Sequence, residues 1–483
     1  MQPANLLFIL SDQHARDAMG CAGRSFVRTP NLDRLAERGA RFENAYTTCP
    51  ICVPARAGLA TGRYVHQIRY WDNAFPYDGK IPSWHHRLRS QGLRADSIGK
   101  LHFSGARNDH GFSQEIDPLH VVEGVGDILG SVRDDPPLRN KRPGVLEAGP
   151  GDSTYLQYDA RNAARACEWL AAHRQDDKPW TLFLSFVCPH PPYIAPPALV
   201  DLYPPDDLPL PPQWRAGEWS DHPALAYFRR FFAYDTPFEE HELRRLAAAY
   251  YGACTYLDRQ IGRVLDALEA QGLAESTRVI YASDHGEALG ARGMVGKFDL
   301  YDESAGVPLI MAGPDVSAGR VVETPVSLVD LYPTVLEAVG LERNVEEREF
   351  PGQSLWQIAA APDQDRTVLS EYHAFASQHG MFMLRNRRYK YIYYVNDRPQ
   401  LFDLIADPEE RCDLAGQDAH RAALEAFERE LRSMLDPEAV DAQAKADQAA
   451  RVAAYGGREA VIRRGGFENS PTPGEAPAFE RYA

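Results

Sequence analysis

Cys52-Val53-Pro54-Ala55-Arg56 brings a thiol, a proline and a guanidinium together within one pentapeptide. Proline is tolerated in the first turn of a helix, where its missing N–H costs nothing. An extended-looking run, Arg41 to Tyr46, precedes the pentapeptide, and helix-compatible residues follow it. Cys52 is therefore expected near a helix N-terminus, where unpaired N–H groups and the positive dipole end suit an anionic ligand. Arg56 adds a fixed positive charge one turn on. Read alone, Cys49-x-x-Cys52 is equally compatible with a redox pair, half of a zinc site or a plain structural loop.

Four further groups of reactive side chains follow apolar runs that read as buried strands. Leu6 to Leu10 ends at Ser11-Asp12-Gln13-His14. Arg94 to Ile98 ends at Gly99-Lys100-Leu101-His102, where Lys100 and His102 point the same way if the backbone stays extended. Trp180 to Val187 ends at Cys188-Pro189-His190-Pro191-Pro192-Tyr193, with prolines stiffening the loop that carries His190. Arg278 to Ala282 closes on Ser283-Asp284-His285-Gly286-Glu287. Lys297 lies a short loop further on. In open α/β sheets ligands collect at the C-terminal ends of strands. Each group taken singly also has a plain structural reading, as a turn-capping Asp or a surface Lys beside a half-buried His.

Taken together and in this order, these elements resemble the sulfatase branch of the alkaline phosphatase superfamily over roughly residues 4 to 415. Cys52 to Arg56 resembles the type I sulfatase signature C-x-P-x-R, with Ala55 where Ser is most common. Gly58 to Arg63 resembles its second half, with Ala60 replacing a usual Leu. The G-K-x-H, P-H-x-P-[FY] and lysine-loop elements are matched around Lys100, His190 and Lys297, and Asp403 to Leu414 resembles a late family element. The resemblance implies that Cys52 is oxidised to formylglycine by a formylglycine-generating enzyme. It implies one divalent metal held by Asp12, Gln13, Asp284 and His285 with residue 52. Oxygen-rich ligation favours Ca²⁺, with Mg²⁺ possible. Gln13 stands where a second Asp is usual and His285 where Asn is frequent, a departure that admits Mn²⁺. The implied catalytic set is Cys52, Arg56, Lys100, His102, His190 and Lys297. The hydrated aldehyde attacks sulfur, His190 or Lys297 protonates the leaving alcohol, and His102 acts as the base that releases sulfate.

The expected substrate is a small aryl or alkyl sulfate monoester, because phosphonate monoester and phosphodiester hydrolases of the superfamily tend to lack the Lys100/His102 pair. Gln13 and His285 nevertheless resemble the ligand set of that branch, which stays as an alternative. Trp71-Asp72-Asn73-Ala74 and the phrase around Phe103 look similar to choline sulfatases. Trp71, Asn73, Phe103 and Tyr193 are accordingly candidate substrate contacts, the aromatic ones as faces for a quaternary ammonium. An unmodified relative that binds metal and oxyanion without turnover is the alternative from another class.

The elements that must position these groups read as an α/β fold: a large, mostly parallel sheet flanked by helices, then a smaller antiparallel sheet plus a helix. The expected organisation is a catalytic domain over residues 1–365, an α+β subdomain over 366–436 and a tail over 437–483. That tail is Ala-, Gly- and Pro-rich, is expected to be disordered or docked on a neighbouring subunit, and makes a homo-oligomer the expectation. Ser104 to Ser153 reads as a loop-rich insertion over the site. A net charge of −16 argues against nucleic acid or an anionic membrane as partner. Seven scattered cysteines and the absence of a leader-like start point to a reduced, cytoplasmic setting.

Overall fold

In the computed structural model, which describes residues 2–467 and 469–481, an eight-stranded sheet forms the centre of the molecule. Its strands are β1 (Asn5–Asp12), β2 (Gly39–Phe42), β3 (Arg94–Lys100), β4 (Gln114–Leu119), β5 (Trp180–Pro189), β6 (Thr277–Ser283), β7 (Leu309–Ala312) and β8 (Arg320–Val322). They run in the order β8-β2-β7-β6-β1-β5-β3-β4. β6, β1, β5, β3 and the edge strand β4 are mutually parallel, and only β7 runs against both its neighbours. Four of these parallel strands therefore deliver their C-terminal ends to one edge of the sheet, carrying Asp12, Lys100, His190 and Asp284 with them.

β1 shows why the apolar run reads as it does. Leu6, Phe8 and Leu10 pack on one face of the sheet, in a cluster with Leu59, Leu331 and Val335. Leu7 and Ile9 pack on the other, with Leu32, Ala163, Leu257 and Ile261. Both faces are covered by helices, so Leu6 to Leu10 are apolar on both sides, and polar residues enter only at the ends of the strand. The covering helices are α1 (Pro30–Glu37), α2 (Cys52–Thr61), α3 (Thr154–Ala172), α4 (Glu240–Ala270) and α5 (Leu331–Ala338). Each fully buried Leu, Ile or Phe contributes roughly 1.5–3 kcal/mol.

A second, antiparallel sheet of four strands follows: β9 (Val368–Tyr372), β10 (Met381–Arg385), β11 (Tyr389–Tyr394) and β12 (Gln400–Asp403). An antiparallel sheet here matches the sequence reading; in the large sheet, β4 and β8 were missed. β4 lies inside the stretch read as loop, where Asp117 and Pro118 weaken the strand pattern. The second sheet is tied to the first in two places. Lys390, fully buried, pairs with Asp302 and at 2.6 Å with Glu410. At β9 the Glu371 amide donates to the carbonyl of Thr48, in the segment that leads to Cys52, and the Glu371 carboxylate pairs with His66 and His373, each at 2.9 Å.

The C-terminal stretch forms helices α6 (Arg421–Met434), α7 (Pro437–Ala454) and α8 (Arg458–Arg464). The tail is not disordered as one expectation had it: it is helical and packs on its own chain. Asp436 caps α7 by accepting from the Ala439 amide, and Gln448 is buried, donating to Asp72 and to the His373 carbonyl. The packing uses small residues and hydrogen bonds rather than an apolar stripe, so hydrophobic periodicity did not reveal it. No helix is long and apolar enough to cross a membrane among the described residues.

The Glu371 cluster yields a stability prediction. Burial alone would raise the Glu371 carboxyl, but His66 and His373 hold it far below its ordinary 4.5. Burial opposes the charge of His66, but Glu371 lifts its pKa above 6.5. The depressed Glu contributes fully above 4.5 and loses its contribution as the pH falls. The raised His contributes fully below 6.5 and loses its contribution as the pH rises. Glu371→Gln should therefore cost about 3 kcal/mol of stability. Thermal melts across pH should show the largest gap from wild type between about pH 4.5 and 6.5.

Candidate active site

α2 begins at Cys52 with Ile51 as an extended cap residue, and Pro54 lies in the first turn. The Cys52 side chain is 2 % exposed and sits at the meeting point of the strand ends. Its Sγ lies 3.1 Å from His285 Nε2, 3.4 Å from Lys297 Nζ and 3.6 Å from Asp12 Oδ1. Cys49 does not share this site. It is buried in an apolar cluster, and both cysteines are free thiols. Burial, reinforced by Glu371, pushes the Cys49 thiol well up, and Cys49 belongs to no metal-ligand cluster among the described residues.

Arg56, one turn into α2, lies beneath the site. Its Nε donates to Asp284 Oδ2 at 2.8 Å and its Nη2 to Asp12 Oδ2 at 3.1 Å. Nη1 donates to the Lys100 carbonyl at 2.7 Å and to Ser185 Oγ at 3.0 Å. Lys100 Nζ meets Asp12 Oδ2 at 2.6 Å. Burial would raise the Asp12 carboxyl, but Lys100, His190 and Arg56 hold it well below the carboxylate range. Asp284 goes the other way, pushed up to about 6 by burial and by Asp12 opposite it.

The Gln13 backbone, at a positive φ of 67°, receives support from Asp284 Oδ1 through its amide. Its side-chain Nε2 donates to Glu287 Oε2 at 2.5 Å, which turns Oε1 toward Lys297 Nζ at 2.6 Å. Glu287 also accepts from Tyr193 Oη at 2.8 Å and from the Gly296 amide at 2.6 Å. It fixes the Gln13 amide, Tyr193 and the Lys297 loop at once. The sequence reading passed over Glu287, although it stands two residues after His285.

Asp12, Cys52, Asp284 and His285 each offer one ligand atom, and these atoms all lie within 4.8 Å of one another. Two buried carboxylates facing one another beside a neutral imidazole, with burial holding the His285 pKa down near 4, form a donor set that fits a divalent cation. The Gln13 carbonyl oxygen lies alongside. Lys100, Lys297 and Arg56 remain as the cations for a bound anion.

A cavity of about 230 Å³ opens onto Cys52. Among the residues expected to act on substrate, Gln13, Asn73, His102, His190, Tyr193 and Lys297 line it. Trp71 and Phe103 do not. Trp71 is 1 % exposed, donates from its indole to Asp447 at 2.7 Å and packs edge-on against His373. Phe103 is wedged against Tyr77, with ring centroids 4.8 Å apart. Both side chains serve packing, which their types alone could not reveal. The outer wall comes partly from the insertion expected over the site and partly from unforeseen places. Asp127, Arg139 and Lys141 come from the long insertion, Tyr234, Phe298 and Phe375 from separate loops, and Phe467, Asn469 and Ser470 from the C-terminal segment.

Comparison with known proteins agrees with this geometry. Residues 4–341 match the family model described as Sulfatase, and residues 290–436 match that of the N-sulphoglucosamine sulphohydrolase C-terminal region. The chain is 32% identical to a choline-sulfatase of Rhizobium meliloti (strain 1021), across 99% of this chain and 95% of that one. It is 28% identical to arylsulfatase K of Xenopus laevis, across 90% and 82%. Among solved structures, phosphonate monoester hydrolase of Agrobacterium radiobacter superposes with a TM-score of 0.73 at 25% identity, covering 91% of this chain and 96% of the other.

If the four-ligand cluster holds the metal, protein prepared with a divalent cation should retain about one equivalent per chain after gel filtration. Asp12→Ala and Asp284→Ala should each retain less than about a tenth of that, as read by elemental mass spectrometry. Removing the wild-type metal with chelator should lower the melting temperature, and its return should restore it.

Proposed function

From the premise that this chain belongs to the sulfatase family, and so is a sulfuric ester hydrolase, we propose that it cleaves small aryl or alkyl sulfate monoesters at residue 52. The observation that carries this reading is the convergence of Asp12, His285 and Lys297 on Cys52 Sγ at the N-terminus of α2. Oxidation of Cys52 to formylglycine would supply a hydrated aldehyde as nucleophile. A divalent cation held by Asp12, Gln13, Asp284, His285 and residue 52 would supply Lewis-acid stabilisation of oxyanion charge, with Ca²⁺ the first choice and Mn²⁺ or Mg²⁺ the alternatives.

The remaining work falls to the chain itself. Lys100 and Lys297 flank the position of the sulfate and neutralise its oxygens in a water-poor site. Arg56 holds Asp12 and Asp284 in register and adds charge from below. Burial opposes the charge of Lys297, but the Cys52 sulfur, Asp12 and Asp284 lift its pKa above the usual value. Lysine is ordinarily protonated at neutral pH, and Asp12 and Asp284, which stay when the sulfur is replaced, favour that charge on an Nζ that lies 3.4 Å from Cys52 Sγ. Burial, with Lys297 and Lys100 nearby, holds His190 well below 6.5 and neutral. Lys297 is thus the donor for the departing alcohol, and His190 binds as a neutral imidazole. His102 is likewise kept neutral by burial and by Lys100 and Arg56, the state a base requires.

The cavity also bears on the leaving group. The Phe375 ring is covered by the Arg139 guanidinium at 4.5 Å, and Lys141 Nζ stands 5.6 Å from the centre of the Phe298 ring. Asp127 is paired with Arg139 at 2.5 Å. Of the aromatic faces and acids that line the cavity, Phe375, Phe298 and Asp127 are engaged by the protein's own cations. This favours an aryl or simple alkyl group over choline, even with the choline-sulfatase similarity. Gln13 and His285 in the ligand set, together with the phosphonate monoester hydrolase fold match, support a weaker secondary activity on phosphonate monoesters.

Co-expression with a formylglycine-generating enzyme should give a peptide about 18 Da lighter at residue 52. Cys52→Ala should abolish turnover. For the modified enzyme, kcat/KM on 4-nitrophenyl sulfate should exceed that on choline sulfate and on 4-nitrophenyl phenylphosphonate by at least about tenfold; a higher value on either competitor overturns the substrate assignment. Lys297→Ala should slow alkyl sulfates by about 10²–10⁴ and 4-nitrophenyl sulfate much less, because 4-nitrophenolate leaves without a proton.

A further inference from the structure

The C-terminal segment reaches the reaction centre. Ser470 Oγ lies 3.0 Å from His102 Nε2, across 368 residues of chain. Both residues are buried, at 7 % and 6 % exposure. The segment is seated from two sides. The Tyr155 hydroxyl donates to the Ser470 carbonyl at 2.5 Å, and the backbones of Gly466 and Glu480 exchange hydrogen bonds at 3.0 and 2.7 Å. His102 has a positive φ of 55°, a conformation that a residue with a Cβ keeps only when its surroundings impose it. The His102 amide donates to the Leu119 carbonyl at 2.9 Å, which fixes the backbone. Ser470 is the partner that fixes the ring. His102 Nδ1 is buried and has no hydrogen-bond partner among the described residues.

We propose that Ser470 is a positioning residue for His102: its Oγ accepts the Nε2–H and so leaves the Nδ1 lone pair as the basic site. A neutral imidazole carries one N–H, and the partner of one nitrogen sets which nitrogen stays basic. A serine hydroxyl can accept that hydrogen bond while remaining uncharged, so it holds the ring without raising its affinity for a proton as a carboxylate would. The proton that His102 takes up at Nδ1 during turnover is returned to solvent, and Ser470 neither gains nor loses one. This inference rests on the assignment of His102 as base.

The test combines spectroscopy with kinetics. In ¹⁵N-histidine-labelled protein carrying Cys52→Ala, which needs neither metal nor modification, His102 should show the Nε2–H tautomer, and Ser470→Ala should lose that preference. In the modified enzyme Ser470→Ala should lower kcat about tenfold with little change in KM, and Ser470→Thr should recover most of it. In a His102→Ala background Ser470→Ala should have no further effect. An Nδ1–H tautomer in the labelled protein overturns the proposal. So does a Ser470→Ala enzyme with wild-type kcat, or one whose loss persists without His102, which would mean that Ser470 only seats the segment. If His102→Ala is impaired while Ser470→Ala is not, this inference alone fails. If His102→Ala retains full activity, the assignment of the base fails, and the inference with it.

Discussion

A single buried guanidinium holds the reaction centre together. Arg56 touches Asp12 at the end of β1, Asp284 beyond β6, the Lys100 carbonyl at the end of β3 and Ser185 within β5. Four strands that share no local sequence are thereby locked at one edge of the sheet by one planar, permanently charged group. Lysine could not do this, because it lacks the fixed fork of donors. The cost of burying the guanidinium is offset only because both carboxylates and two neutral acceptors are already in place. Every other feature of the site, from the orientation of Asp12 to the space around Cys52, depends on that arrangement.

The same charge pattern explains how an acidic protein can handle an anion. The overall field repels sulfate esters, with a net charge of −16. At the buried floor of the site, Lys100, Lys297 and Arg56 face two carboxylates, where local charges count for more than distant ones. The acidic surface and the cationic pocket therefore do not compete. One sets solubility and the other sets binding.

Much of this was legible in the sequence because the chemistry sits at the ends of unmistakable strands. Apolar runs such as Leu6 to Leu10 announce both the strand and the point where it stops, and the reactive residues follow at once. Trp71 and Phe103 show where that logic fails. An aromatic side chain carries no mark of whether it faces a cavity or the core, and only the contacts with Asp447 and Tyr77 decide. Glu287 was passed over because its role is to orient Gln13 and Lys297 rather than to react. The contribution of Ser470 was invisible for another reason: small polar residues in a Gly- and Pro-rich segment give no periodic signal, and a contact spanning 368 residues leaves no local trace.

The burial of Cys52 has a consequence in time. Residue 52 is translated early, whereas Phe467, Asn469 and Ser470, which wall its cavity, are translated late. An enzyme that oxidises the thiol must take this side chain into its own catalytic cleft, and α2 in the finished fold leaves it 2 % exposed. If residue 52 is oxidised as proposed, that burial would confine the oxidation to the interval before the domain closes. Whatever prolongs that interval, such as slow translation or retention by a chaperone, raises the fraction of molecules that emerge competent. On that reading, a chain that folded first would keep an unconverted thiol.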